Sequence, residues 1–339
     1  MEQKHKSGFI AVVGRPNVGK STLINSLIGQ KIAIMSDKPQ TTRNRILCIL
    51  TQPDAQVVFL DTPGMHKPLH KLGEYMERTA ENTLREVDAI LFVVDATEKL
   101  GAGERYILEH LIATKKPVIL VVNKLDLIER AQVLPIITTY TAQYEFAGVV
   151  PISAKAKLNL EELLGEVKKY LPEGPQYYPE DMVTDQPERL IAAELVREKV
   201  LELTRDEVPH AVAVDVDEMA TRPTGDVYIR ATIYVERDSQ KGIIIGAKGS
   251  MLKQVGALAR KDVRREKEHR PHQAGQHDVP FVGDAHDRAH QVRRGQPYKS
   301  DEPRLRHSRA CGQRHGCHQP HTHGHERQSQ TGRRGLAQR

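Results

Sequence analysis

Residues 14–21 read GRPNVGKS, two glycines five positions apart followed by a lysine and a hydroxyl. That spacing fits G-x-x-x-x-G-K-[ST], a loop that wraps phosphate. Gly14 and Gly19 let the backbone curl so that its N–H groups point inward at phosphate oxygens. Lys20 sets a cation near the β- and γ-phosphates, and Ser21 offers a hydroxyl to Mg²⁺. An apolar run, 9–13, precedes the loop and a helical pattern, 20–28, follows it. The positive end of that helix therefore adds to the site. Val18 and Thr22 complete the expected phosphate set. The loop alone suits ATP as well as GTP.

The base is decided further along. NKLD, 123–126, closes the apolar run PVILVVN, at the strand end where an open α/β sheet binds ligands. It resembles the N-K-x-D motif of GTPases. The resemblance implies that Asp126 accepts N1–H and the exocyclic amine of guanine, that Asn123 ties this loop to the phosphate loop, and that Lys124 lies along the base. ISA, 152–154, resembles the fifth GTPase motif and implies an Ala154 N–H at guanine O6, with Ser153 and Lys155 beside it. DTPG, 61–64, would bring Asp61 to Mg²⁺ through water and the Gly64 N–H to the γ-phosphate, with Thr62 and Pro63 between them. PQTTRNR, 39–45, stands where a first switch belongs. Thr41 or Thr42 would close on Mg²⁺ and γ-phosphate there, and Thr42 is preferred. Lys20, Thr42 and Gly64 are thus the expected catalytic positions. Ser21, Thr42 and Asp61 are the expected Mg²⁺ set. Asn17 resembles the asparagine that holds K⁺ in related bacterial GTPases. Met65 stands where many small GTPases carry a water-orienting glutamine, so slow intrinsic hydrolysis is expected.

A second chemistry appears in GIIIGAKGSMLKQVG, 242–256. Gly246, Ala247, Lys248 and Gly249, preceded by Ile243, Ile244 and Ile245, fit the G-x-x-G loop with which KH domains clamp about four nucleotides of single-stranded nucleic acid. The glycines admit phosphates close to the backbone, Lys248 adds a cation, and the apolar neighbours offer a floor for bases.

The elements that must hold these loops alternate. Short runs, mostly apolar throughout, occur at 9–13, 56–60, 89–96, 117–123 and 148–153, with helical patterns at 20–28, 103–114 and 158–170. Such strands are covered on both faces, which predicts an α/β, doubly wound, mostly parallel sheet. Residues 171–188 carry four prolines and read as a linker. A helical pattern at 189–204, alternating strands at 210–219 and 226–237, and a helix at 250–260 predict a smaller α+β unit in the order of a type II KH domain.

The net charge of +6 invites a nucleic-acid reading of the whole chain. Residues 264–339 hold 16 of the 50 Lys+Arg and 8 of the 44 Asp+Glu, leaving 34 against 36 in the first 263. The basic excess is therefore all in the tail, and a nucleic-acid function rests on motifs. From Arg264 onward there is no Ile and no Met, with two Leu, three Val, one Phe and one Tyr in 76 residues. Such a segment cannot offset its ordering entropy by burial and is expected to be disordered. No apolar run reaches the roughly 18 residues that span a bilayer. The start, MEQKHKSGFIAVVG, lacks a signal pattern, and Cys48 is the single cysteine before residue 311. A cytoplasmic protein without a disulfide framework is expected.

A G domain with these motifs, a Pro-rich linker and a KH domain resemble the Era family of bacterial GTPases. GRPNVGKSTL, PQTTRNR, DTPGMH, NKLD and IGAKGSMLK carry the resemblance, over about residues 5–263. It implies GTP/GDP and Mg²⁺ as ligands, the 3′ region of 16S rRNA and the 30S subunit as partners, a monomer, and partial association with the inner membrane. The expected domains are 1–171, a linker at 172–188, a KH domain at 189–263 and a tail at 264–339. A GTPase of tRNA modification, and an RNA-binding protein with a defective KH domain, are the alternatives. The resemblance fails in the tail, where a KH domain should continue into an apolar, Trp-containing strand and a last helix. The chain holds no Trp and runs past the family's usual end. Three readings compete. One is a zinc site around Cys311, Cys317, His315 and His318, although Cys-x₅-Cys is not a usual zinc spacing. Another is a basic tail on rRNA phosphates. The leading one is a reading-frame shift near 261–265, since out-of-frame translation of a GC-rich gene yields Arg, His, Gln, Pro, Gly and Ala.

Overall fold

The computed structural model describes residues 5–34, 42, 45–65, 71–204, 212–223 and 227–269. Of the first-switch segment only Thr42 and Arg45 are included, and Thr41 and the tail from residue 270 on, with Cys311, Cys317, His315 and His318, lie outside the described residues.

Six strands form one sheet: β1 (Lys6–Val13), β2 (Ile46–Gln52), β3 (Ala55–Asp61), β4 (Ala89–Asp95), β5 (Val118–Asn123) and β6 (Gly148–Pro151). Their order is β2-β3-β1-β4-β5-β6. β2 runs antiparallel to β3 and every other pairing is parallel. Helices α1 (Lys20–Ile28), α2 (Lys71–Glu86), α3 (Ala102–Thr114) and α4 (Arg130–Thr141) lie between successive strands, and α5 (Leu160–Lys168) follows β6.

The apolar runs lack alternation because both faces are buried. Ile10, Val12, Phe59, Leu91, Val93, Ile119 and Val121 pack with Leu23, Ile24, Leu163 and Val167 on one face. Ala11, Val13, Leu60, Phe92, Val94, Leu120 and Val122 pack with Leu84, Ile107, Leu111 and Tyr140 on the other. Parallel registry then aligns the strand ends. Val12 lies opposite Asp61, and Asp95 opposite Asn123. The loops after β1, β3, β4 and β5 so emerge along one edge of the sheet, where such folds bind ligands.

The Pro-rich segment is fastened along its length. The Ser7 N–H donates to the Pro172 carbonyl at 3.0 Å, the Gln56 Oε1 accepts from the Tyr177 and Tyr178 N–H groups at 2.8 and 3.0 Å, and the Ile49 N–H donates to the Val183 carbonyl at 2.8 Å. Tyr177 also stacks on Phe9, ring centroids 5.4 Å apart.

Beyond it, α6 (Glu188–Leu203) packs on the antiparallel pair β7 (Val212–Thr221) and β8 (Val227–Val235), followed by α7 (Asp238–Ile245) and α8 (Ser250–His269). Val200, Val212, Ile233, Val235, Ile244 and Val255 form its core. α8 runs through the expected stopping point at 263 to His269, and Val263 itself is buried against Ile191, Leu195 and Val227. Among the described residues no helix is long and apolar enough to cross a membrane.

Candidate nucleotide site and RNA-binding loop

The turn between β1 and α1 needs its glycines for close approach. A Cβ on Gly14 would sit 2.3 Å from the Val93 carbonyl oxygen, and one on Gly19, at φ +97°, 2.3 Å from the Asn123 amide nitrogen. Asn17 also has a left-handed backbone, φ 66°, a conformation asparagine tolerates. Lys20 is 7% exposed and donates to the Gly14 and Arg15 carbonyls at 3.1 and 2.9 Å. Burial pulls its ammonium down to about 8, and Asp61 partly opposes that. Arg15 reaches outward to Glu98 at 2.6 Å and to the buried Glu104 at 2.9 Å, so the loop is braced against the start of α3.

Three oxygens converge beside it. The Ser21 hydroxyl donates to Asp61 Oδ2 at 2.8 Å, the Thr42 hydroxyl donates to the same atom at 3.2 Å, and the two hydroxyls are 3.2 Å apart. Asp61 is fully buried, its other oxygen Oδ1 has no hydrogen-bond partner, and burial pushes the carboxyl up. An all-oxygen donor set with an unsatisfied buried carboxylate oxygen suits a hard cation such as Mg²⁺. Thr42 stands in this cluster, and Thr41, the other position weighed, lies outside the described residues. Thr62 donates to the Val12 carbonyl at 2.8 Å and fixes the turn after β3. A Cβ on Gly64 would lie 2.8 Å from the Pro16 nitrogen, so this turn is packed against the phosphate loop. Met65 is buried in the apolar core, and its N–H donates to the Gly14 carbonyl at 3.1 Å.

Asn123 joins three loops. Its amide donates to the Val18 carbonyl at 2.8 Å, and its Oδ1 accepts the Ala154 N–H at 2.9 Å. The Ala154 hydrogen expected at guanine O6 is thus engaged by Asn123, and a guanine oxygen there would share it. Ser153 donates to Asp126, and its oxygen accepts the Ala156 N–H at 3.0 Å. Three supporting residues escaped sequence reasoning. Ser26 donates to the Ala154 carbonyl at 2.8 Å, Asn25 accepts from the Ile32 and Ala33 N–H groups at 2.9 Å each, and Asp95 pairs with Lys124. Only the aspartate ending the run AILFVVD, at the same strand end as Asn123, gave a signal that could have found one of them.

At the second loop, Gly246 (φ 70°, ψ 172°), Lys248 (φ 51°) and Gly249 (φ 77°) form a tight turn between α7 and α8. Ala247 and Lys248 are exposed. The three isoleucines before it divide. Ile244 belongs to the core, Ile245 is half-buried, and Ile243 is 51% exposed. An apolar floor beside the loop can use Ile243 and Ile245 but not Ile244.

This fold and these loops define a phosphate-loop protein of the GTPase class carrying a KH unit. Residues 9–124 match the family described as 50S ribosome-binding GTPase, and residues 207–269 match the KH domain family. A crystal structure of Era in complex with MgGDPNP and nucleotides 1506–1542 of 16S ribosomal RNA is 42% identical, with a TM-score of 0.77 over 83% of this chain and 92% of that one. A crystal structure of an Aquifex aeolicus Era variant, with one tyrosine replaced by alanine and bound to GDP and AlF₄⁻, is also 42% identical, with a TM-score of 0.76 over 82% and 92%. The chain belongs to the Era family of GTPases.

Proposed function

We propose that the protein is a GTP-dependent switch that binds the 3′ region of 16S rRNA and acts in assembly of the 30S subunit. The observation that carries this is the 42% identity, over 92% of its length, to an Era chain crystallised with MgGDPNP and that RNA segment. The convergence of Ser21, Thr42 and Asp61 supports Mg²⁺ with GTP or GDP. When bound, Mg²⁺ neutralises charge on the β- and γ-phosphates. Lys20 and the N–H groups of Asn17, Val18 and Gly19 hold the phosphates, the Gly64 N–H senses the γ-phosphate, and Asp126, Ser153, Ala154 and Lys155 read the base. Asn17 is assigned to K⁺. Hydrolysis is slow without a partner, because Met65 is buried and offers no side-chain hydrogen bond to water. The RNA meets Gly246, Ala247, Lys248, Gly249 and Ile245, all near the surface.

In this reading the GTPase unit occupies 1–171, the fastened linker 172–188 and the KH unit the stretch from 189 to the end of α8. A monomer acting in the cytoplasm, with peripheral contact to the inner membrane, goes with it. Single-turnover GTP hydrolysis measured with and without a saturating RNA ending in the 16S 3′ sequence tests the proposal. Stimulation by that RNA, and not by a scrambled one, is expected. Equal rates with both, or hydrolysis as fast as an activated GTPase with no RNA, would refute it.

A further inference from the structure

The sequence motifs leave Asp95 unused, yet it ends β4 opposite Asn123 and is only 6% exposed. Its two oxygens have separate tasks. Oδ1 accepts the Thr97 N–H at 2.9 Å and the Thr97 hydroxyl at 2.7 Å, which locks the carboxylate against its own turn. Oδ2 accepts the ammonium of Lys124. The Ala96 N–H donates to the Asn123 carbonyl at 2.9 Å, so the turns after β4 and β5 are fastened by backbone as well. Burial would raise the Asp95 carboxyl, but hydrogen bonds from Lys124 and Thr97 outweigh it and hold it below the ordinary carboxylate range. It is therefore an anion at neutral pH.

The geometry points to Asp95 as a positioning residue that fixes Lys124 across the base-binding loop before guanine arrives. A free lysine stem loses rotamer freedom when it is immobilised. A stem already held by a buried, doubly anchored carboxylate has lost that freedom on folding, so the ligand need not. The backbone contributes too. Lys124 is left-handed, φ 69°, at the start of a single 3₁₀ turn, Leu125–Leu127, which sets where the stem leaves the loop. Asp95 stands behind the lysine head and acts on nucleotide affinity only through it. Phosphate binding at 14–21 depends on other residues and is outside its reach.

This inference rests on guanine lying at 123–126, and the experiment separates the two. Affinities of the full chain for GDP, and for Mg²⁺–pyrophosphate as competitor, are measured for wild type, Asp95→Asn, Lys124→Gln and the double variant. Asp95→Asn should weaken GDP about tenfold, the size of one lost charge-assisted hydrogen bond. Lys124→Gln should do about the same, and the double variant should be no worse than the weaker single. Pyrophosphate affinity should stay within about twofold. Thr97→Val, at an exposed position, removes the hydroxyl's hydrogen bond to Oδ1 and keeps the N–H one, without touching Lys124; it should give a smaller loss in the same direction, and it serves if Asp95→Asn does not fold. Wild-type GDP affinity in Asp95→Asn, losses that multiply in the double variant, or an equal loss of pyrophosphate would overturn the assignment. Failure of the guanine reading shows separately, as equal affinity of the wild type for GDP and ADP, and overturns both.

Discussion

In the proposed base site one carboxylate, that of Asp126, accepts from two adjacent donors, and the Ser153 hydroxyl that donates to it sets which way it faces. Asp126→Asn presents one donor and one acceptor in place of two acceptors. GTP affinity should fall about a hundredfold, two charge-assisted hydrogen bonds at the lower end of their range. Xanthosine triphosphate, which carries an oxygen where guanine has its amine, should gain affinity in the same titration. At the cation position the expectation differs in kind. Asp61→Asn removes the negative charge available to Mg²⁺ in a buried site and should abolish Mg²⁺-dependent GTP hydrolysis, with GDP affinity in EDTA changed less than about threefold. The residues legible in sequence were those that stand at a motif's spacing within one loop: Gly14, Gly19, Lys20, Ser21, Asp126. Ser26 and Asp95 were not, because their partners lie 128 and 29 positions away and meet only through strand order and helix docking, and Asn25 was not, because it caps a turn 7 to 8 positions on that no motif marks.

Elements were legible where a single period governs them. The buried strands announced themselves by uninterrupted β-branched residues, and α1, α3, α5 and α6 by their apolar spacing. α4 was hidden by Pro135 in its interior, a residue that reads as a helix breaker. α7 was hidden because three successive isoleucines carry no helical period, although in the helix only Ile244 reaches the core. The turn that α7 feeds makes the element-scale prediction. Gly246 has φ 70° and ψ 172°, a conformation open in practice only to glycine, and a Cβ there would meet the Met251 nitrogen and Cβ at 2.8 Å each. Gly246→Ala should therefore pull the 246–249 turn off the start of α8. Binding of an RNA ending in the 16S 3′ sequence is read by filter retention at about 200 mM salt, where contacts to phosphate alone are suppressed. It should weaken at least tenfold, while GTP affinity stays at the wild-type value. Equal RNA affinity would show that this turn does not meet the RNA.

At the scale of the whole molecule, one buried charge cluster ties the GTPase unit to the KH unit. Lys31, in the turn after α1, pairs with Glu198 of α6 at 2.6 Å and with Asp262 of α8 at 2.9 Å, and Lys199 pairs with Asp262 at 2.7 Å. Burial would raise the Asp262 carboxyl, but hydrogen bonds from Lys199 and Lys31 win and hold it below the ordinary range. Burial would likewise lower the Lys199 ammonium, but Asp262 and Glu202 raise it. A depressed carboxyl adds stability above its unfolded pKa of about 3.9 and loses it as pH falls through the folded value. A raised ammonium adds stability below about 10.4 and loses it as pH rises through its own folded value. The pair thus contributes fully between about pH 5 and 9. Asp262→Asn should lower unfolding stability by about 1.5–3 kcal/mol across that window. The gap from wild type should narrow as pH falls below about 4, where the carboxyl of the unfolded chain takes up its proton, and should close once pH is below the depressed folded value. A gap independent of pH down to about 2 would mean that packing, not charge, is what the substitution removed. The same cluster marks where the molecule stops being legible. Asp262 and Val263 pack in α8, and from Arg264 onward the sequence carries only two Leu, three Val, one Phe and one Tyr in 76 residues. The nucleotide motifs all lie before residue 156 and do not depend on that stretch. GTP affinity and slow hydrolysis should accordingly be intact in the full chain, and its binding to the 16S 3′ sequence should discriminate against a scrambled RNA. Filter binding at about 50 and 200 mM salt checks this: discrimination against a scrambled RNA at both salts is expected, whereas binding that falls steeply with salt and ignores sequence would mean that basic residues of the tail carry it.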